Sequence, residues 1–268
     1  MDTFHLSKWY LDCVADDGSA IIGYFARLRW RSLALQYAAA LVAPAGLAPR
    51  QLHALRSVTA PVLGGGNCTW RCGALQLEGE WTAVDTPVAL DLLQTPEGVI
   101  RWRLHQPRAE ARVRLDGAPG LGAVAIQGLG YVEELELTVP PWQLPFDLLL
   151  WGRFLSRSDA LVWIRWERAA EPEATRRQFV LWNGSLVQGA AVRPELISVP
   201  DSGTWTDLPL GDYRPLREGP LAANVFSAVP GLVSLLPRRF RDACESKRLT
   251  RGALGASEGW AIHEVVRW

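Results

Sequence analysis

The sequence predicts an all-β protein of two tandem antiparallel barrel or sandwich domains with little helix. Three observations carry this. Apolar and polar residues alternate at period two along most of the chain, the pattern of half-buried strands. Turn residues punctuate these segments at regular spacing, among them Asp16-Asp17-Gly18-Ser19, Thr95-Pro96-Glu97-Gly98 and Asn183-Gly184. Only residues 222–244 have a spacing suited to helix, and Pro230 and Pro237 interrupt it. A length of 268 residues suffices for two domains of ordinary size.

Residues 8–14 and 20–30 pair across the first turn, and residues 33–42 extend the meander. Residues 44–49, rich in Ala, Gly and Pro, form a loop. Gly64-Gly65-Gly66-Asn67 lacks the Lys-Ser/Thr of a phosphate loop and reads as a turn before strands at 68–72 and 74–81. Residues 89–93 and 99–104 flank the second turn, and 111–115 is a short strand ending at Asp116-Gly117. Pro119-Gly120-Leu121-Gly122 divides the chain into domains 1–120 and 121–268. Beyond it, residues 123–139 are a strand and 140–145 a rigid proline-rich connection. Hairpins follow at 151–155 with 160–167 and at 179–182 with 186–192. Residues 195–199 and 204–208 are short strands, and 259–268 closes the chain.

Composition narrows the function. With 28 basic and 28 acidic residues, nothing electrostatic favours nucleic acid or an anionic surface. Thirteen tryptophans against one methionine suit the walls of a pocket for a large apolar ligand, although core packing accounts for most of them. Cys13, Cys68, Cys72 and Cys244 make no disulfide framework in a chain this long. Cys68 and Cys72 share a strand face but lie too far apart to bridge or to share zinc, so all four read as buried thiols of a reducing compartment, and no metal site is expected. The N-terminal residues lack the pattern of a signal peptide, and no apolar run reaches membrane-spanning length. A soluble, cytoplasmic protein is the expectation.

The chemistry concentrates in Gly128-Leu129-Gly130-Tyr131-Val132-Glu133-Glu134-Leu135-Glu136-Leu137, followed by Trp151-Gly152-Arg153-Phe154. Tyr131, Glu133, Leu135, Leu137 and Val139 share one strand face, while Val132, Glu134, Glu136 and Thr138 share a solvent face. Glu133 is thus an acid on an apolar face. Burial there disfavours its ionised form, so it is expected to hold a proton at neutral pH and to serve as a general acid without metal or cofactor.

Three pieces resemble a known superfamily. Lys8-Trp9-Tyr10-Leu11-Asp12, followed by Gly18 and Ile21-Ile22-Gly23-Tyr24, resembles the W-Y-x-D opening of the carotenoid hydratases, the hydroxyneurosporene synthases. Gly128-Leu129-Gly130-Tyr131-Val132-Glu133 is similar to their G-x-G-Y-x-D segment, and Leu150-Trp151-Gly152-Arg153 to their tryptophan-rich segment. The resemblance implies two lipocalin-like β domains, related to AttH-like and tocopherol-cyclase-type proteins, and cofactor-independent hydration or cyclisation of polyenes and isoprenoids. It assigns the proton-donor role to Glu133. The family has Asp at this position, so Glu133 carries its proton one carbon–carbon bond further out, and the plain strand Leu135-Glu136-Leu137 departs from the family pattern.

Each candidate has a plainer reading beside it. Glu133 is either a proton donor, with Trp and Tyr faces stabilising the resulting cation, or the ion-pair partner of Arg153 in strand packing. Lys8, Tyr10 and Asp12 share a face opposite Trp9, Leu11 and Cys13. Asp12 reads as a turn cap or as the partner of Lys8, while Trp9 and Tyr10 are ligand-wall candidates. Trp151 and Arg153 form a pocket wall or a structural clamp. Trp260, Ile262 and Glu264 share a face, and His263 on the other is expected to be exposed. No Gly-x-Ser-x-Gly elbow supports a serine triad. Arg238-Arg239-Phe240-Arg241 and Lys247-Arg248 read as a solvated basic face.

The expected protein is therefore a hydratase, cyclase or isomerase acting on a hydrophobic isoprenoid or polyene in an apolar pocket at or near the domain interface. Glu133 and Arg153 are its expected catalytic pair, with Trp9, Tyr10, Tyr131, Trp142, Trp151 and Trp260 lining the pocket. No cofactor, metal or nucleic acid is expected. A long isoprenoid would require peripheral contact with a membrane for delivery. The alternative is a lipocalin-like carrier that binds an apolar molecule without chemistry, and a third reading is a scaffold with every indole in the core.

Overall fold

The computed structural model describes residues 4–118, 122–201, 203–225, 233 and 236–268. The chain forms two compact units, Met1–Pro141 and Trp142–Trp268. In the first, ten antiparallel strands make one sheet: β1 (Phe4–Val14), β2 (Ala20–Trp30), β3 (Leu33–Ala43), β4 (Arg50–Ala54), β5 (Val62–Gly64), β6 (Asn67–Cys72), β7 (Leu77–Ala83), β8 (Val88–Thr95), β9 (Gly98–Ala118) and β10 (Gly122–Leu137). Their order is β4-β3-β2-β1-β10-β9-β7-β6-β5, with β8 beside β9.

β9 is one long strand where two short ones were expected. Its first part pairs with β8 and its second with β7, while β10 runs along both. Two neighbours in succession leave the sequence looking interrupted although the backbone continues. The register of β9 and β10 slips beside Pro107, which has no N–H to donate, and the slip lies between Gly130 and Glu133. Because β10 pairs with both β1 and β9, the strand carrying Glu133 belongs to the first unit. The units therefore divide after Pro141 rather than after residue 120, and Pro119, Gly120 and Leu121 lie outside the described residues.

One face of this sheet carries the core of Leu11, Cys13, Ile21, Phe25, Trp70, Trp81 and Val132. The Trp81 indole crosses to β1 and donates to the Asp12 carbonyl at 2.6 Å. Gly130 makes that crossing possible. A Cβ there would lie 2.5 Å from the Asp12 oxygen and 2.7 Å from the Trp81 ring. Gly130→Ala is expected to cost about 1–3 kcal/mol in urea unfolding, as overpacking does in a filled core. Gly64→Ala, where nothing stands within 4 Å, should be close to neutral. Equal losses at the two positions would remove this explanation.

The second unit contains a seven-stranded sheet, order β14-β13-β12-β11-β20-β19-β18, and the three-stranded sheet β15-β16-β17. The strands are β11 (Leu148–Ser156), β12 (Ala160–Glu167), β13 (Arg177–Trp182), β14 (Ser185–Leu186), β15 (Ala191–Arg193), β16 (Leu196–Asp201), β17 (Thr204–Pro209), β18 (Arg214–Pro220), β19 (Cys244–Leu254) and β20 (Ser257–Arg267). Asn183 and Gly184 both have positive φ, as a two-residue hairpin turn demands, but the returning strand ends at Leu186. The described helices are short: α1 (Pro172–Thr175), which was not expected, α2 (Leu221–Val225) and α3 (Arg238–Arg241). Pro230 lies outside the described residues. None of the described helices is long and apolar enough to cross a membrane. Leu150, Phe154, Leu161, Trp163, Val180, Ala261 and Val265 belong to this unit's core.

Several strands are buried on both faces. Tyr10–Val14, Ala20–Phe25, Tyr37–Ala43 and Leu150–Ser156 are each buried without interruption. Cys13, Cys68 and Cys72 are buried thiols, and burial pushes Cys68 up to about 12, whereas Cys244 is exposed, contrary to expectation.

Candidate functional site

Strand register places the side chains of one face in rows across the first unit. One row reads His53, Ala39, Tyr24, Tyr10, Glu133, Leu104, crossing from β4 to β9. The next reads Tyr37, Ala26, Lys8, Leu135, Trp102, and on the other side Asp12 stands opposite Tyr131. Tyr10, Tyr131 and Glu133 are thus brought together as the sequence suggested.

Glu133 is only 8% exposed. Its Oε2 accepts a hydrogen bond from the Tyr131 hydroxyl at 2.7 Å and another from the Trp102 indole N–H. Tyr131 reaches it from two residues back on the same strand. Trp102 reaches it diagonally from β9, a span that large aromatic side chains bridge. A carboxyl oxygen has two lone pairs, and both lone pairs of Oε2 are occupied here. The Tyr10 ring meets Tyr131 edge-on at 6.0 Å and Tyr24 at 5.5 Å, and Lys8 Nζ lies 5.4 Å from the Tyr24 ring centre. Asp12 and Tyr131 are completely buried, whereas Lys8, Ala26 and Leu135 are partly exposed.

Asp12 is no turn cap: it lies within β1 at full burial, on the face it shares with Lys8 and Glu133. Trp9, contrary to expectation, lies on the opposite face, stacked on the His105 ring at 4.8 Å and packed against the core, so it does not line the Glu133 face. Glu134 and Glu136, read as a solvent face, belong to a ladder of ion pairs. Glu134 accepts from Ser7 at 2.8 Å and from Arg103 at 3.2 Å, with His105 at 3.4 Å. The His105 contact first, then Ser7 and Arg103, hold Glu134 down to about 2 against the opposing effect of burial.

The second unit carries its own buried polar face. Arg217, Lys247, Glu264 and Trp151 stand in one row across β18, β19, β20 and β11. Lys247 pairs with Glu264 and lies 5.0 Å over the Trp151 ring. Glu245 pairs with Arg217 and accepts from Asn224 at 3.1 Å; burial and the neighbouring Glu264 charge raise its carboxyl. Arg153, fully buried, donates to the Trp260 carbonyl at 2.7 Å. The glycine of Trp151-Gly152-Arg153 leaves room for Trp163, which a Cβ would strike. Trp142 lies in a 3-10 turn and meets Phe240 edge-on at 6.4 Å.

Sequence reasoning missed Lys247 as a buried residue, together with Arg217 and Glu245, because β18 and β19 were not anticipated as strands. No apolar alternation signals β19, because charged Glu245 and Lys247 take inward positions beside Leu249. His263 is likewise buried rather than exposed: it is 2% accessible, bonds Thr250 at 3.0 Å, and is lowered to about 3 by burial and by the charges of Arg248 and Lys247. Among the described residues, no three His, Cys, Asp or Glu side chains gather as a metal site.

In sequence, no family model and no curated protein matches this chain. Solved structures do match. CghA superimposes with a TM-score of 0.63 at 13% identity, over 98% of this chain and 88% of CghA. Its crystal structure with Sch210972 gives 0.60 at 12% with the same coverage. The AttH-like protein NE1406 of Nitrosomonas europaea gives 0.62 at 10%, over 98% and 92% of the two chains. Kievitone hydratase of Nectria haematococca gives 0.55 at 10%, over 97% and 88%. At such identities the likeness establishes architecture. Over nearly its whole length, this chain shares the all-β architecture of these solved structures.

Proposed function

We propose that this protein is a hydratase- or cyclase-type enzyme that protonates a hydrophobic isoprenoid or polyene from Glu133. The observation that carries this reading is a buried carboxyl held through one oxygen by Trp102 and Tyr131, on a face rich in tyrosine. The likeness in fold to a hydratase supports the reaction class.

In the reaction, the proton on Glu133 passes to one carbon of a double bond. The π electrons form the new C–H bond and leave the other carbon cationic. Tyr10, Tyr24 and Tyr131 offer ring faces to stabilise that charge. For hydration, water bonds the cation and returns one proton to Glu133. For cyclisation, a second double bond attacks the cation, and the proton then lost goes to Glu133. Either way the carboxyl ends as it began.

The deciding experiment is mass spectrometry of small molecules extracted from the purified protein and from its Glu133→Gln variant. The variant is expected to retain an unsaturated lipid, and the wild type the hydrated or cyclised form. The same unmodified lipid on both would make the protein a carrier. No lipid on either would overturn the reading.

A further inference from the structure

A second candidate site lies in the second unit. A groove of about 510 Å³ runs between β17 and β19, lined by Trp205, Asp207, Asp212, Arg251, Gly252 and Gly255 among others. Trp205 is 60% exposed. Among the described residues only one other aromatic side chain is exposed, and it is Tyr213, the neighbour of Asp212 in sequence. Tyr213 is also held in position, with the Arg248 guanidinium 4.0 Å from its ring centre.

We infer that this groove binds a neutral saccharide. Trp205 and Asp207 are two residues apart on one strand and so project to the same side, an indole beside a carboxylate. A sugar ring presents an apolar C–H face and a rim of hydroxyls. The indole matches the first, and Asp207, Asp212 and the Arg251 guanidinium match the second with acceptors and donors. Gly252 and Gly255 carry no side chain to fill the space. Charge argues for a neutral ligand. Two carboxylates face one guanidinium, and that guanidinium already pairs with Glu258 at 3.0 Å, so an anion meets repulsion. A volume of this size falls within the range of small-ligand sites.

The test is titration of the whole protein with soluble oligosaccharides of glucose, N-acetylglucosamine, mannose and galactose, followed by saturation-transfer NMR and calorimetry. One series is expected to bind. Trp205→Ala should weaken it at least tenfold and Asp207→Asn severalfold, both with unchanged melting temperature because these side chains are exposed. Glu133→Gln should bind the sugar as the wild type does, which separates this site from the proposed reaction. Binding of no sugar, binding indifferent to Trp205→Ala, or preference for a simple amine such as benzylamine would each overturn the inference.

Discussion

Turnover by the Glu133→Gln protein is expected to fall by about 10²–10⁴-fold, the usual loss when a positioned proton donor is removed. That corresponds to about 3–5 kcal/mol of barrier. The substitution suits the test because glutamine has the shape of glutamate. Its side-chain carbonyl can still accept from Trp102 and Tyr131, so the face should stay intact and the melting temperature should barely move. Only the proton is lost. Glu133→Asp makes the complementary point. Although the resembling family carries aspartate here, the shorter arm withdraws the carboxyl by about 1.5 Å from donors placed for glutamate. It is expected to rescue little. Trp102→Phe and Tyr131→Phe each remove one donor that holds the carboxyl and leave an oxygen lone pair open. Each should lower kcat by about tenfold, with a smaller change in KM. Single-turnover assays on the molecule identified by extraction would measure all four variants. Wild-type rates in Glu133→Gln would remove Glu133 from the chemistry.

Lowering the pH from 7 to 5 is expected to destabilise the protein by about 2 kcal/mol through His263 alone. Its imidazole is lowered from an ordinary 6.5 to about 3 in the folded state, first by burial and then by Arg248 and Lys247. A group depressed on folding contributes stability that is fully present above its unfolded value and is lost as the pH falls. In this case the loss begins near 6.5 and continues towards 3, at about 1.4 kcal/mol per pH unit. The acid-side contribution of Glu134, lowered from 4.5 to about 2, starts only below pH 4.5, so it does not enter this window. Glu245 acts oppositely. Its raised carboxyl stabilises the fold as the pH drops, which makes the comparison with a variant essential. His263→Gln can still bond Thr250 and does not titrate. Urea unfolding of both proteins at pH 7 and pH 5 should show the wild type losing about 2 kcal/mol more than the variant. Parallel losses would place the acid sensitivity elsewhere.

Much of the fold was legible because strand periodicity and turn chemistry are local. The hairpins around Asp16-Asp17-Gly18-Ser19, Thr95-Pro96-Glu97-Gly98 and Asn183-Gly184 follow from residues within a few positions of one another. The meeting of Tyr131 with Glu133 follows in the same way, from alternation along a single strand. Misreadings began where a strand serves two neighbours or is covered on both sides. Alternation reads as one buried and one solvent face, so His263 was assigned to water and Glu134 to a solvated surface. In a sheet buried on both faces that inference fails, because each polar side chain needs a specific partner instead of solvent.

By itself the sequence determined the fold class, most strand positions and Glu133 as the acid on an apolar face. These depend on backbone geometry and on periodicity, which neighbouring residues encode together. Only the tertiary structure decided that Trp102, thirty-one residues away in sequence, holds the same carboxyl oxygen as Tyr131. It alone removed Trp9 from that face, moved the division between units past β10, and gathered Arg217, Glu245, Lys247 and Glu264 into buried pairs. The physical reason is register: which residues stand opposite one another across strands is set by long-range pairing, not by neighbours in sequence.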